Sequence, residues 1–93
     1  MSGVGRFRAI IHGRVQGVYF RDFTQRHASS LGITGFVRNK FDGTVEVVAE
    51  GERQGLENLL DKLRVGPRSA RVNDIDLEWE EFIGEFRHFE VRF

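Results

Sequence analysis

The order in which strand and helix patterns alternate most constrains how this 93-residue chain can fold. Apolar residues recur at helical spacing over residues 22–31, and again at Leu56, Leu59, Leu60 and Leu63 before Gly66-Pro67. Segments of strand character cover most of the remainder: 7–11, 33–40, 44–50, 71–79 and 87–93. The elements therefore follow one another as β-α-β-β-α-β, with one added C-terminal strand.

This order predicts an α+β fold, a ferredoxin-like split βαβ sandwich with two helices on one face of a mainly antiparallel sheet of four or five strands. We expect a single domain over residues 1–93, with residues 1–5 as a flexible N-terminus, because a chain of this length has little room for a second core. The Asp42-Gly43 pair predicts a hairpin turn. Val72 is out of phase with Ile75, which predicts a bulge near Asn73.

A run without acidic side chains, Gly13-Arg14-Val15-Gln16-Gly17-Val18-Tyr19-Phe20-Arg21, joins the first strand to the first helix. The backbone N–H groups of such a loop can converge on an anion, and the helix dipole adds partial positive charge. Arg21 can add a planar guanidinium fork that suits phosphate oxygens. Glycine loops also form tight turns that bind nothing, so the loop alone leaves both interpretations open.

The predicted topology brings a second polar residue to the same place. In a split βαβ unit the first two strands are parallel with the third between them, so their C-terminal ends open on one edge. Adjacent strands lie about 4.8 Å apart, which places these two ends on the order of 10 Å from each other. Arg21 follows the first strand and Asn39 ends the second, so both side chains can meet around one small ligand.

Charge is balanced in total but unevenly distributed along the chain. The 14 basic and 14 acidic residues cancel, which argues against broad electrostatic binding to nucleic acid. Residues 1–40 contain one acidic residue, Asp22, against six arginines and Lys40. This distribution favours an electropositive end suited to a small anion, unless the two halves of the chain mingle on the folded surface.

The residue types present exclude several kinds of site. There is no cysteine, which excludes thiol nucleophiles and thiolate metal sites. The histidines are scattered, and acidic groups such as Glu78, Glu80 and Glu81 have no histidine beside them, so we expect no metal site. The N-terminus lacks the apolar core of a secretory signal, and no stretch approaches the roughly 20 apolar residues of a membrane span. We therefore expect a cytoplasmic protein with no membrane partner.

Two motifs together resemble the acylphosphatase family. They are the loop Gly13-Arg14-Val15-Gln16-Gly17-Val18-Tyr19-Phe20-Arg21 and the segment Gly35-Phe36-Val37-Arg38-Asn39-Lys40-Phe41-Asp42-Gly43-Thr44-Val45-Glu46. Weaker agreement runs through Leu31-Gly32, Ala49-Glu50-Gly51 and Gly66-Pro67, so the resemblance covers most of the chain in the family's order and spacing. Phe36 stands where many members carry Trp, a change that keeps an aromatic ring and concerns packing rather than chemistry.

The resemblance implies an enzyme that hydrolyses the carboxyl–phosphate bond of acyl phosphates to a carboxylate and inorganic phosphate. The family's arginine falls on Arg21, which would hold the phosphate, and its asparagine falls on Asn39, which would orient the attacking water. Its phosphate-binding loop falls on Val15, Gln16, Gly17, Val18, Tyr19 and Phe20, followed by Arg21. The resemblance also implies that neither a metal nor an organic cofactor takes part. We expect inorganic phosphate to be both the product and a competitive inhibitor.

Other readings of the same residues stay open at this point. Arg21 can be a surface arginine and Asn39 a turn residue, as such residues often are. Ferredoxin-like sheets also bind RNA through exposed aromatic side chains, so a binding module for RNA or a small anion is the alternative, although no RNP-like aromatic pattern occurs. A third interpretation is a degenerate domain that has lost its activity. The presence of both Arg21 and Asn39 argues against it. We expect a monomer that binds no nucleic acid.

Overall fold

One five-stranded sheet with two helices on one face makes up the computed structural model, which describes residues 3–93. The elements are β1 (Val4–Arg14), α1 (Phe20–Ser30), β2 (Thr34–Asn39), β3 (Val45–Glu52), α2 (Arg53–Val65), β4 (Arg71–Glu80) and β5 (Phe89–Arg92). The strand order is β4-β1-β3-β2-β5, in which every pair is antiparallel except β2 and β5. The predicted element order and the ferredoxin-like α+β fold are confirmed. Neither helix in residues 3–93 has the length and apolarity to cross a membrane.

The strand ends differ from the sequence pattern at both termini. β1 begins at Val4 rather than Phe7, and Gly5 pairs with Gly51, so residues 4 and 5 of the expected flexible N-terminus belong to the sheet. Glycine adds no side chain to the apolar alternation, which is why the pattern did not mark this extension. Residues 1 and 2, the start of that expected flexible segment, lie outside the described residues. β5 is shorter than expected and begins at Phe89.

The core lies between the sheet and the two helices. Alternate residues of the central strands point toward the helices and are fully buried, as Phe7, Ala9 and Ile11 of β1 illustrate. Helix α2 covers them with its predicted apolar stripe, which is buried along its length: Leu56, Leu59, Leu60 and Leu63. Truncating one such buried leucine to alanine typically costs about 2–5 kcal/mol, so this stripe holds α2 against the sheet.

A β-bulge shapes the point where β1 leads into the loop. His12 opposes Asp74 and Gly13 opposes Val72, which leaves Asn73 as the extra residue and confirms the predicted bulge. Gly13 has a φ of 129°, and a Cβ there would lie 2.0 Å from the carbonyl oxygen of Arg71. Only glycine fits this close approach of two backbones, so the strand reaches the loop with a fixed direction.

The connection between β4 and β5 crosses the face of the sheet that carries no helix. β4 and β5 lie at opposite edges, so the chain must pass over the strands between them. The ring of Phe86 packs edge-on against Phe36 of β2 at a centroid distance of 6.0 Å, and the Arg6 guanidinium lies 5.4 Å from the Phe86 centroid. The crossing segment is thereby held against the sheet before it enters β5.

A single buried carboxylate on the middle strand fixes this crossing. Glu50 accepts hydrogen bonds from three successive backbone amides, those of Ile83 (2.9 Å), Gly84 (3.1 Å) and Glu85 (3.2 Å). Its side chain has no exposed surface, and Arg6 Nη1 lies 3.1 Å from Oε2. Burial opposes ionisation, but the Ile83 amide, the Arg6 guanidinium and the Gly84 amide outweigh it and hold the pKa of Glu50 below its ordinary value of 4.5.

A second buried carboxylate, on the same face of the sheet, forms ion pairs with two arginines. Glu46 accepts hydrogen bonds from Arg8 of β1 and Arg38 of β2, the two strands that flank it. Burial again opposes ionisation, yet the two guanidiniums keep the pKa of Glu46 below its ordinary value. The helix-free face is therefore organised around ion pairs on its central strand.

We predict that Glu50→Gln lowers the free energy of unfolding at pH 7 by about 1–3 kcal/mol, because a neutral carboxamide binds the three backbone amides and Arg6 more weakly than a carboxylate does, while Arg6 keeps Glu80 and Glu85 as partners. In the unchanged protein, the contribution of Glu50 is complete above the ordinary pKa of a carboxyl and is lost as pH falls through the depressed folded value. The free energy of unfolding, measured with denaturant, should therefore decrease less between pH 7 and pH 3 in Glu50→Gln than in the unchanged protein.

Glu78→Gln is the matched control, because the Glu78 side chain is 72% exposed. Its unfolding curve should stay close to that of the unchanged protein. Equal stability of both variants at pH 7 would contradict the structural role assigned to Glu50.

Candidate active site

The loop between β1 and α1 is pinned to the core by apolar side chains. Val15, Val18 and Phe20 are buried, whereas Gly17 and Tyr19 between them are exposed. Gly17 (φ 73°) and Tyr19 (φ 63°) both have left-handed backbone conformations. Tyr19 is the only residue other than glycine with positive φ among residues 3–93, which marks a local backbone cost at the helix start.

The start of α1 lacks a side-chain cap. Tyr19 occupies the N-cap position, and its side chain makes no capping hydrogen bond. The first N–H groups of a helix have no partner inside the helix, and the dipole leaves partial positive charge there. An anion at this point would satisfy both, in keeping with the sequence-based interpretation of the loop.

Gln16 ties the loop to the turn that follows β2. Its Nε2 donates to the carbonyl oxygens of Lys40 (2.7 Å) and Thr44 (2.8 Å). The turn is closed by a hydrogen bond from Lys40 N to Thr44 O, and the Asp42 carboxylate accepts from the amide and hydroxyl of Thr44. The predicted turn is confirmed, and it is braced from within and linked to the loop.

Asn39 is the last residue of β2, where it pairs in register with Val45 of β3. β1 and β2 both run antiparallel to β3, which lies between them, so they are parallel to each other as predicted. Asn39 is half-buried and stands directly before the turn that Gln16 holds. The position of the carboxamide relative to the loop is thus set by backbone pairing on one side and by Gln16 on the other.

Arg21, in the first turn of α1, is held by the end of the chain. Its Nη1 donates to the carbonyl oxygen of Arg92 at 3.3 Å, and its Cζ lies 4.6 Å from the ring centroid of Phe93. Arg6, Arg8, Arg26 and Arg38 each lie within ion-pair distance of a carboxylate, whereas no described carboxylate lies within that distance of Arg21. Its charge is therefore available to a ligand.

Two adjoining hollows meet at Arg21 and Asn39. The first, here called the loop hollow, has a volume of about 570 Å³ and is lined by Val15, Gly17, Tyr19, Phe20, Arg21, Asp22, Asn39, Val91 and Phe93. The second, here called the turn hollow, has a volume of about 740 Å³ and is lined by Gln16, Arg21, Arg38, Asn39, Lys40, Phe41, Asp42 and Phe93. Only Arg21, Asn39 and Phe93 line both hollows.

The structure brings most of the sequence-predicted site residues together here. Arg21 and Asn39 line both hollows, and Val15, Gly17, Tyr19 and Phe20 line the loop hollow. Gln16 lines the turn hollow, where its side chain bonds to the turn. Val18 lines neither hollow; its buried side chain anchors the loop, and its carbonyl accepts from the Ser69 hydroxyl at 3.4 Å.

Sequence reasoning missed the contribution of the C-terminal strand. Val91 and Phe93 reach the site because β5 pairs in parallel with β2. No local pattern in the last residues specifies which edge of the sheet they join, so no sequence signal could have placed Phe93 beside Arg21. Phe41 was visible only as part of the turn.

The helix-free face does not match an RNA-binding surface. Such sheets stack bases on exposed aromatic rings, whereas the central strand here presents Glu46 and Glu50 in ion pairs. Phe36, the aromatic residue of β2, is covered by Arg92, whose Cζ lies 3.9 Å from the ring centroid. Among residues 3–93, no three histidine, aspartate or glutamate side chains lie close enough together to hold a metal ion.

Known proteins resemble this chain over almost its whole length. A family model described as Acylphosphatase matches residues 7–91. The acylphosphatase of Salinibacter ruber is 48% identical over 87 residues, which cover 94% of this chain and 92% of the relative. The acylphosphatase of Pelotomaculum thermopropionicum is 44% identical over 88 residues, which cover 95% of this chain and 96% of the relative.

Solved structures agree with this result. The crystal structure of an acylphosphatase from Bacillus subtilis has a TM-score of 0.92 and 32% identity, and the match covers 98% of this chain and all of the other. An acylphosphatase structure from Coxiella burnetii has a TM-score of 0.90 and 35% identity, over 96% of this chain and 93% of the other.

We predict that Gln16→Ala weakens binding of inorganic phosphate and lowers stability by about 1–2 kcal/mol, because two hydrogen bonds are lost and the loop is released from the turn, although both carbonyls keep a backbone donor. Isothermal titration with phosphate and denaturant unfolding measure the two effects. Gln54→Ala is the control, since Gln54 donates to Asn58 on the exposed surface of α2, away from the hollows. Phosphate affinity that is equal in both variants would show that the Gln16 bonds do not shape the loop.

Proposed function

Since this chain belongs to the acylphosphatase family, a hydrolase family that acts on acyl phosphates, we propose that its phosphoryl-binding site is the loop hollow. In this proposal the backbone amides of residues 15–20 and the guanidinium of Arg21 hold the phosphoryl group. Asn39 orients the attacking water. The observation that carries the proposal is the meeting of Arg21 and Asn39, from separate elements, beside a loop whose helix has no side-chain cap.

The reaction suits so small a set of groups. Cleavage releases a carboxylate, whose conjugate acid has a pKa of about 4 to 5, so it departs as an anion without a general acid. Phosphoryl transfer otherwise needs positioning and stabilisation of charge on the transferring group. Backbone amides and one guanidinium supply both, and the loss of one well-aimed donor can cost roughly 3 kcal/mol.

Arg21 carries the charge that the phosphoryl group requires. An arginine in the first turn of a helix gains nothing from the helix dipole, which disfavours positive charge at that end. An anion bound between the guanidinium and the helix start removes this conflict. The Arg92 carbonyl and the Phe93 ring support the guanidinium from the side of β5, so its fork is ordered before substrate arrives.

Asn39 orients the water but does not remove its proton. A carboxamide does not take up a proton at working pH, but it can accept one hydrogen bond from the water and donate another. The water oxygen forms the new bond to phosphorus while the bond from phosphorus to the acyl oxygen breaks, and its electron pair stays on the departing carboxylate. A phosphoryl oxygen takes the proton of the water. The products are the carboxylate and inorganic phosphate.

Inorganic phosphate fits the same cradle as the substrate, so we propose that the product is also a competitive inhibitor. In this mechanism the loop amides, Arg21 and Asn39 act without a metal, so we expect full turnover in the presence of EDTA.

We predict that Arg21→Ala reduces kcat/KM for benzoyl phosphate by at least about a hundredfold and weakens competitive inhibition by phosphate, because the only charged donor of the cradle is lost. Arg21→Lys should stay poor, since a point charge does not replace the planar fork. Arg64→Ala, in the last turn of α2, removes an exposed arginine that lines neither hollow and should leave both values unchanged. Phosphate inhibition that survives in Arg21→Ala would remove Arg21 from the site.

We predict that Asn39→Ala lowers kcat by about a hundredfold with little change in phosphate inhibition, because the water loses its orientation while the anion cradle is intact. Steady-state kinetics with benzoyl phosphate separate the two effects. Asn58→Ala on the surface of α2 is the control. Turnover near that of the unchanged protein would reduce Asn39 to a turn residue.

A further inference from the structure

Three exposed aromatic rings surround the proposed active site. Among the large apolar side chains of residues 3–93, Phe41 and Phe93 are fully exposed and Tyr19 is 82% exposed, which makes them the three most exposed of all; Val65 follows at 74%. All three line the two hollows: Tyr19 the loop hollow, Phe41 the turn hollow and Phe93 both. Single exposed apolar residues are ordinary, but a group of the most exposed ones around one site marks a binding surface.

The hollows offer more room than a phosphate requires. Their volumes of about 570 and 740 Å³ each fall in the range of about 300–1,000 Å³ that holds drug-sized ligands. With the phosphoryl oxygens on the amides of the loop, the bond to the acyl oxygen points away from the loop and toward the mouth. The acyl group therefore has to pass the rim that the three rings form.

Several polar side chains of the rim are already bound to neighbouring residues. The Asp42 carboxylate accepts from Thr44, Gln16 donates to the turn backbone, and Arg38 pairs with Glu46. Beside the Lys40 side chain, the rim presents to a substrate the faces and edges of the aromatic rings. These favour flat or extended apolar groups, which remove ring surface from water and stack in offset or edge-to-face geometry.

We propose that Tyr19, Phe41 and Phe93 form an acyl subsite that selects acyl phosphates with aromatic or extended apolar acyl groups over those with a small acyl group such as acetyl. This inference rests on the proposed function of the loop hollow and adds the substrate class. The subsite acts by contact with the acyl group, while the phosphoryl group is bound in the same way in every substrate.

The test compares kcat/KM for benzoyl phosphate and acetyl phosphate in each variant. Phe41→Ser should lower the benzoyl-to-acetyl ratio about two- to tenfold, mainly through the KM for benzoyl phosphate, and leave acetyl phosphate hydrolysis unchanged. Phe41→Leu should give an intermediate ratio, because it keeps apolar surface but loses the ring. Tyr19→Asn suits the left-handed backbone at that position and should lower the ratio further when combined with Phe41→Ser.

Phe82→Ser is the matched control, since Phe82 is a partly exposed phenylalanine that lines neither hollow. Circular dichroism confirms that each variant is folded. Phe93 is left unchanged, because its ring also supports Arg21. A ratio in Phe41→Ser and the double variant equal to that of Phe82→Ser would overturn the subsite, while hydrolysis of acetyl phosphate and inhibition by phosphate would leave the proposed function standing. Failure of the unchanged protein to hydrolyse either substrate would overturn both.

Discussion

The buried carboxylate of Glu50 is the contact on which the rest of this architecture depends. β4 and β5 lie at opposite edges of the sheet. The segment between them is fastened to the middle strand by the hydrogen bonds that three of its backbone amides donate to Glu50. Together with the packing of Phe86 against Phe36, this fastening directs the chain to the free edge of β2. β5 in turn brings the Arg92 carbonyl and the Phe93 ring to Arg21 on the other side of the sheet. The buried carboxylate of Glu50, on one face of the sheet, thus contributes to how the Arg21 guanidinium is held on the other side.

The proposed mechanism divides its tasks among elements that are fixed independently. Buried Val15 and Phe20 hold the loop, backbone pairing with β3 holds Asn39, and β5 holds Arg21. Gln16 is the direct bond between the loop and the turn after β2. Because a carboxylate leaves without protonation, the site has no need of a titrating acid and can be built almost entirely from backbone and two side chains. In the proposed mechanism, the chemistry of the leaving group therefore explains why so few side chains are needed.

The parts of the fold that depend on local sequence patterns could be predicted from the sequence alone. Periodicity marked both helices, Asp42-Gly43 marked the turn, and the phase change at Val72 marked the bulge opposite Gly13. The parallel ends of β1 and β2 followed from topology, and they explain why Arg21 and Asn39 could be predicted to meet. The path of residues 81–88 was beyond such reasoning, because the partners of Glu50 lie more than 30 residues away and use only backbone amides. The Phe93 contact depends on that path and was hidden for the same reason.

The pairing of arginines with carboxylates also determines how the molecule meets ions in solution. The chain has no net charge, and Arg6, Arg8, Arg26 and Arg38 are matched by acidic partners close at hand. Arg21 and the first turn of α1 still project a positive potential from the mouth of the hollows, with a reach of about 8 Å at physiological ionic strength. In the proposed function, a small dianion is therefore attracted only over its final approach, and added salt shortens the distance over which that attraction acts.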